Sequence, residues 1–267
     1  MTTTDTGPRA GRREWIALAV LGLPTFLVSM DFSVLYLAVP HLTAALAPSG
    51  IQQLWIVDIY GLLIAGFLVT MGTLGDRIGR KKLLLIGSAV FGIASITAAF
   101  STSPDMLIAS RALLGVAGAA VMPSVLALVT SMFTDPKHRS RALAIYLTCF
   151  MGGMTLGPLV GGALLEHFWW GSVFLVAVPG IALLLIFGPA LLPDQRTPQP
   201  GKLDPISVAL SLTATLPFVY GLKELARHGW QPLPALALAT GLALATAFVH
   251  RQRRLAHPLL DLRLFGN

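Results

Sequence analysis

The chain has 267 residues, of which 55% are hydrophobic and only 12% are charged, and its mean hydropathy is +0.74. Soluble domains carry about 25% charged residues, so this composition excludes a soluble globular protein and indicates a membrane protein. The net charge is +7, but the basic residues fall in short runs between apolar segments and form no basic face for nucleic acid. Cys149 is the only cysteine, which excludes a disulfide framework and a cysteine-based metal site.

Eight apolar segments follow one another along the chain. A helix needs about 20 mainly apolar residues to cross the hydrocarbon core of a bilayer, and each segment meets or approaches that length. The predicted spans are Ile16–Pro40, Leu54–Leu74, Leu83–Phe100, Met106–Met132, Ala142–Leu165, Ser172–Leu192, Ile206–Leu222 and Leu233–Val249. The last two are the shortest. The pattern predicts an all-α membrane protein.

The basic residues predict the orientation of the spans. All but three of the 19 Lys and Arg residues lie in the leader, the tail and alternate loops, which identifies one cytoplasmic side. Eight spans place both termini on that side. A proline-rich linker at 193–205 separates six spans from two. The predicted organisation is a cytoplasmic leader (1–15), a six-span bundle (16–192), the linker, two additional spans (206–250) and a cytoplasmic tail (251–267).

Three ionisable residues lie inside predicted spans, where a charge costs at least about 2.5 kcal/mol. Asp31 lies about 22 Å into the first span, and Arg111 lies about 9 Å into the fourth span from the opposite side. Asp58 follows Trp55 by one turn in the second span. The three fall in the outer half of the bilayer, so they can pair or share a cavity. The functional interpretation is proton exchange or cation binding; a structural ion pair is the alternative.

Two spans carry stripes of small residues. In the fourth span, Gly115 and Gly118 share a helix face with Arg111. The fifth span has two consecutive GxxxG steps beside a proline, and the residues concerned are Gly153, Gly157, Pro158, Gly161 and Gly162. Such a stripe lets a neighbouring backbone approach closely, and the proline favours a kink. Ordinary helix packing remains an alternative interpretation.

The loop between the second and third spans has the most specific pattern. It reads Gly72, Thr73, Leu74, Gly75, Asp76, Arg77, Ile78, Gly79, Arg80, Lys81, Lys82. The glycines permit a tight turn, and Asp76 can cap a helix start or pair with an arginine across the turn. A cytoplasmic loop explains the basic residues but not the ordered glycines and aspartate.

This loop resembles the major facilitator superfamily, whose signature G-x-L-[G/A]-D-R-x-G-R-[K/R]-[K/R] it matches at every defined position. Other segments resemble the fourteen-span drug:proton antiporters of that superfamily, and they are Asp31–Pro40, Arg111 with Gly115 and Gly118, and Gly153–Gly162. Two further segments, Leu54–Tyr60 and His257–Asp261, look closest to the QacA/SmvA-like multidrug exporters. The sequence departs from the family pattern at Ser33, Val39 and Leu114.

The resemblance implies an N-terminal six-helix transporter bundle followed by two additional transmembrane helices, with a second bundle missing. It implies part of a proton-coupled antiporter that exports lipophilic cationic drugs or antiseptics across the cytoplasmic membrane and is inactive alone. Asp31, Asp58 and Arg111 would bind protons or substrate, Trp55 and Tyr60 would attract cations, and the loop residues, including Lys81, would gate the conformational change. Partners would be protons, small lipophilic cations, membrane lipid and the second bundle.

Other classes of function make different predictions. A non-transporting membrane protein that binds a partner or lipid would tolerate neutralisation of the buried charges. An intramembrane enzyme is disfavoured because the sequence has no HExxH or GxSxG motif. No cofactor and no metal is expected.

Overall fold

The chain folds into long helices that run back and forth. The computed structural model describes residues 10–194 and 205–254, and within these ranges nine helices and no strand are found. They are α1 Arg12–Leu46, α2 Gly50–Ile78, α3 Arg80–Ala99, α4 Pro104–Met132, α5 Pro136–His167, α6 Ser172–Leu175, α7 Ala177–Leu191, α8 Pro205–His228 and α9 Pro232–Arg254. Most of the predicted leader, linker and tail, including the segment His257–Asp261, lies outside the described residues.

Seven helical segments of the described ranges are long and apolar enough to cross a membrane: α1 to α5, α6 together with α7, and α9. The all-α membrane fold is therefore confirmed. Helix α8 coincides with the predicted seventh span but is not among these segments. Its status as a span remains a prediction.

The helices extend beyond the predicted spans because polar caps lie outside the apolar segments. Ser49, Ser103 and Asp135 cap α2, α4 and α5, and each side chain accepts a hydrogen bond from the backbone N–H three residues later. Pro104 and Pro136 occupy the first helical positions of α4 and α5, where a missing N–H costs nothing.

The sixth predicted span is one segment with a local irregularity. The α-helical hydrogen bonding is interrupted at Val176, between α6 and α7, where the backbone keeps right-handed helical dihedrals (φ −56°, ψ −31°). Pro179 has no N–H to donate to the carbonyl of Leu175, so the regular hydrogen-bond ladder cannot continue through this turn.

The bundle packs in pairs, with α1 against α5, α2 against α4, and α3 against α4 and α7. At one end, Gln52 Nε2 donates to Asp105 Oδ1 (2.8 Å) and joins the starts of α2 and α4. At the other end, Arg13 and Lys81 donate to the carbonyls of Ala190 and Pro189, both at 2.8 Å. The starts of α1 and α3 therefore hold the end of α7.

Helices α8 and α9 form a close hairpin that lies against α2. A Cβ atom on Gly221 would lie 2.5 Å from the backbone of α9, and one on Gly241 would lie 2.5 Å from the backbone of α8. Gln252 donates to the buried hydroxyl of Ser207 (2.7 Å). Ser211 donates to the carbonyl of Gly66 in α2 (3.3 Å), which attaches the hairpin to the bundle.

Candidate functional site: a buried ion pair and a cavity at Asp58

Asp31 and Arg111 meet in the core of the bundle. The Nη1 atom of Arg111 donates to Oδ2 of Asp31 and forms an ion pair that joins α1 to α4. Arg111 is 1% exposed and Asp31 is 6% exposed, so the pair is buried inside the bundle. The sequence left open whether the charged residues pair or share a cavity, and the structure shows that Asp31 and Arg111 pair.

Arg111 has further partners on two sides. Its Nε atom donates to the carbonyl oxygen of Ile56 in α2 (3.2 Å). Its guanidinium carbon lies 4.5 Å from the ring centroid of Tyr60 and 6.0 Å from that of Phe174. Both distances are within the range of a cation–π interaction. A buried guanidinium that cannot lose its proton is thus surrounded by a carboxylate, a carbonyl and two aromatic rings.

Tyr60 has a different environment from the one that the resemblance implies. It is 1% exposed, and its ring contacts the internal cation Arg111 instead of an open cavity. Phe174 was not identified from the sequence, because it lies in an apolar run without any polar marker. Its position beside Arg111 follows only from the packing of α6.

The small residues of α4 allow this helix to pack closely against α2 beside the buried pair. A Cβ atom on Gly115 would lie 2.7 Å from the carbonyl oxygen of Tyr60, and one on Gly118 would lie 3.0 Å from Ile64. The backbones of α4 and α2 are therefore in direct contact. This contact brings Arg111 to the carbonyl of Ile56.

Asp58 lies apart from the buried pair, on a cavity of about 590 Å³. It lies two positions before Tyr60, which is about 200° around a helix, so the two side chains point in different directions. The described residues that line the cavity come from α1, α2 and α8, and they are Tyr36, Val39, Gly50, Gln53, Leu54, Val57, Asp58 and Ala226. The half-buried Trp55 is not among them. The described lining thus combines apolar side chains with the polar groups of Tyr36 and Gln53 and the carboxylate of Asp58.

The turn between α2 and α3 joins the two helices through a single residue. Gly79 has φ +99°, in a region that favours glycine. Asp76 pairs with Arg80 across the turn, with 2.6 Å between Oδ1 and Nη2. A Cβ atom on Gly75 would lie 2.9 Å from the side chain of Arg80, so this glycine leaves room for the pair. Lys81 reaches α7, as described above.

The remaining residues of this turn have looser surroundings. Arg77 lies in the last turn of α2, where a positive charge favours the helix end. Gly72 lies within α2, and a Cβ atom there would meet nothing within 4 Å. The three glycines of the signature therefore differ: Gly79 is required by its backbone conformation, Gly75 lies close to the flexible side chain of Arg80, and Gly72 has open space around it.

We expect Gly79→Ala to destabilise the protein by about 2 kcal/mol, because alanine is strained at this φ. Gly72→Ala is the matched control, and its higher helix propensity should leave stability unchanged or raise it by about 1 kcal/mol. Thermal unfolding of the purified chain in detergent, followed by circular dichroism, measures both. Equal midpoints for the two variants would contradict the assignment.

The glycine stripe of α5 packs against α1. Gly153, Gly157 and Gly161 are the buried glycines of α5. A Cβ atom on Gly153 would collide with the carbonyl oxygen of Phe26, and one on Gly161 would lie 2.8 Å from Val34. Pro158 and Gly162 are exposed and lie off this contact. Three of the five predicted motif residues therefore form the contact between the helices.

Comparison with known proteins shows the family of the chain. Residues 21–252 match the Major Facilitator Superfamily. The chain is 50% identical to the multidrug efflux pump LfrA of Mycolicibacterium smegmatis, over 98% of this chain and 52% of that protein. It is 39% identical to the methyl viologen resistance protein SmvA of Salmonella typhimurium, over 95% of this chain and 51% of that protein.

The fold also matches a solved transporter. A crystal structure of the POT family transporter PepTSo superposes with a TM-score of 0.66 at 17% identity, over 91% of this chain and 53% of that one. The chain thus spans about half the length of the relatives it matches. The helical bundle, the sequence signature and the extent of the match together show that the chain belongs to the Major Facilitator Superfamily.

Proposed function

We propose that this chain forms the first part of a proton-coupled exporter of lipophilic cations. The observation that carries the proposal is the buried pair of Asp31 and Arg111, in a chain similar to multidrug efflux pumps. A proton taken up by Asp31 removes the negative charge from the pair. The two protonation states therefore favour different arrangements of α1 and α4, which is what coupling to a proton requires.

The cavity at Asp58 is the proposed entry point for the cation. Its apolar side chains favour an amphiphile over a hydrated ion, and the exposed ring of Tyr36 can add a cation–π attraction of about 0.5–1 kcal/mol. The carboxylate of Asp58 supplies the opposite charge. Asp31 and Asp58 would thus have different roles: Asp31 would exchange the proton, and Asp58 would attract the substrate.

The whole protein would contain a second bundle, since alternating access moves one bundle against the other around a midplane site. In this proposal the basic end of the bundle faces the cytoplasm. The ion pair of Asp76 and Arg80 and the contact of Lys81 with α7 stabilise that face in one conformation. The protein would lie in the cytoplasmic membrane, with fourteen spans and with α8 and α9 between the bundles.

The test is a chimera of this chain with the second half of the multidrug efflux pump LfrA, expressed in a bacterium that lacks its own pumps. Cells loaded with a fluorescent lipophilic cation should release it, and an uncoupler of the proton gradient should stop the release. Asp31→Asn should lower proton-driven efflux by about tenfold or more. Asp58→Asn should reduce efflux of a dication more than that of a monocation.

Glu166→Gln is the matched control, because Glu166 is an exposed carboxylate at the end of α5 and should be replaceable without effect. Unchanged efflux in Asp31→Asn would remove Asp31 from the mechanism. A chimera that folds and enters the membrane but releases no dye would contradict export. Tolerance of every charge neutralisation would favour a membrane protein that binds a partner or lipid.

A further inference from the structure

Arg111 keeps its positive charge when Asp31 becomes neutral. A guanidinium does not lose its proton in a protein, so uptake of a proton by Asp31 leaves a full charge in the buried core. An uncompensated buried charge is strongly unfavourable. The carbonyl of Ile56 and the rings of Tyr60 and Phe174 are the partners that remain.

The ring of Tyr60 is held in place from several sides. Its hydroxyl donates to the carbonyl of Val28 in α1 (2.8 Å). The ring of Phe32 packs on it with 4.8 Å between centroids, and its backbone lies against Gly115 of α4. The aromatic face is thus fixed toward Arg111 before any proton is taken up.

Phe174 is also fixed, although at a greater distance. It is 1% exposed, and Trp170 packs edge-on against it with 6.5 Å between centroids. Phe174 lies in α6, in the turn just before the irregularity at Val176. The two rings come from different helices and contact the same cation.

We propose that Tyr60 and Phe174 act as an aromatic clamp, which holds Arg111 in place while Asp31 carries a proton. The inference rests on the proposed proton-coupled function and deepens it by naming two positioning residues. When Asp31 is ionised, the rings face a nearly neutral ion pair and contribute little. When Asp31 is neutral, the rings face the full charge, and the cation–π attraction is greatest. The clamp therefore stabilises the protonated state selectively.

The first test follows the pH dependence of efflux in the same chimera. Tyr60→Leu removes the ring, so the protonated state should need a higher proton concentration and the pH profile should move to lower pH by about half a unit to one unit. Tyr60→Phe keeps the ring and should retain the wild-type profile. Phe174→Leu should produce a smaller shift, because its ring lies farther from the cation.

Phe91→Leu is the control for a merely structural effect, because Phe91 is a fully buried ring of α3. It should lower stability without moving the pH profile. A wild-type profile in both Tyr60→Leu and Phe174→Leu would overturn the proposal, as would an equal shift in Phe91→Leu. If Tyr60→Leu does not fold, Phe174→Leu decides the outcome by the same criterion.

A second test needs no transport and uses the purified chain in detergent. Asp31→Asn mimics the neutral carboxyl, so Tyr60→Leu should lower the unfolding midpoint more in that background than in the wild type. If the shifts of the midpoint caused by the two substitutions are additive, the clamp is overturned. If the effects of Tyr60→Leu and Asp31→Asn on the midpoint are not additive but the chimera is inactive, the clamp is supported and the proposed export is rejected. If the chimera shows proton-driven efflux but the two effects are additive, the export is supported and the clamp is rejected.

Discussion

Asp31→Asn is expected to destabilise the purified chain by about 3 kcal/mol, because it leaves the guanidinium of Arg111 buried without its counter-charge. This value is at the low end of the range for a broken buried pair. Tyr60, Phe174 and the carbonyl of Ile56 remain in contact with the arginine and offset part of the loss. Thermal unfolding in detergent at neutral pH measures the effect.

Removal of the other partner should cost less. In Arg111→Leu the carboxyl of Asp31 is left alone, but it can take up a proton and avoid a buried charge, whereas an arginine cannot give one up. The loss of stability in Arg111→Leu should therefore be smaller than in Asp31→Asn at low pH. It should increase as the pH rises, since the carboxyl then ionises readily in the unfolded chain but not in the apolar core.

The comparison of the two variants tests the burial of the pair. An exposed pair would contribute about 0–1 kcal/mol, and both variants would then be nearly neutral. Equal losses that do not depend on pH would contradict the predicted asymmetry. Glu166→Gln serves as the control for the removal of a carboxylate at the surface.

Gly153→Ala should destabilise the chain by about 2–3 kcal/mol, although alanine is the better helix former. The added methyl group would meet the backbone of α1 at the carbonyl of Phe26, and backbone atoms cannot turn aside as a side chain can. Helices α1 and α5 would have to separate. The measurement is again the thermal midpoint of the purified chain.

Gly152→Ala provides a control on the same helix, one position away. A Cβ atom on Gly152 would lie 3.9 Å from the ring of Phe26, which is ordinary van der Waals contact. This variant should equal the wild type or exceed it by about 1 kcal/mol. Similar losses in both variants would mean that α5 is sensitive to any substitution and that the stripe has no special role.

The fold could be predicted from the sequence to a large extent, because a bilayer imposes a length and a charge rule on every span. The windows that predicted α2, α4 and α5 began four, two and six residues late, respectively, since their caps and first turns are polar. The sixth span was predicted as one segment, but the interruption of its hydrogen bonding at Val176 was not predicted. Pro179 was visible in the sequence, but nothing marked it as a break.

Only the charged residues of the candidate site could be predicted from the sequence. Asp31 and Arg111 stand out because ionisable groups are rare at membrane depth, and their pairing was one of two open possibilities. The separation of Asp58 from this pair depends on which helix face it occupies relative to Tyr60. Tyr36, Ala226 and Phe174 are ordinary residues of membrane helices, so their roles follow from packing that a sequence pattern does not encode.

The contact between α1 and α5 has a mechanical consequence. Ser29 and Ser33 lie at this contact, and their hydroxyls donate to the carbonyls of Phe26 and Met30 within α1 (2.8 and 3.2 Å) instead of bridging to α5. The two helices therefore meet there through van der Waals contact without hydrogen bonds from these serines. Small shear displacements of α5 along α1 would break no hydrogen bond at these positions. This contact can therefore permit a shear motion between the two helices during a change of conformation.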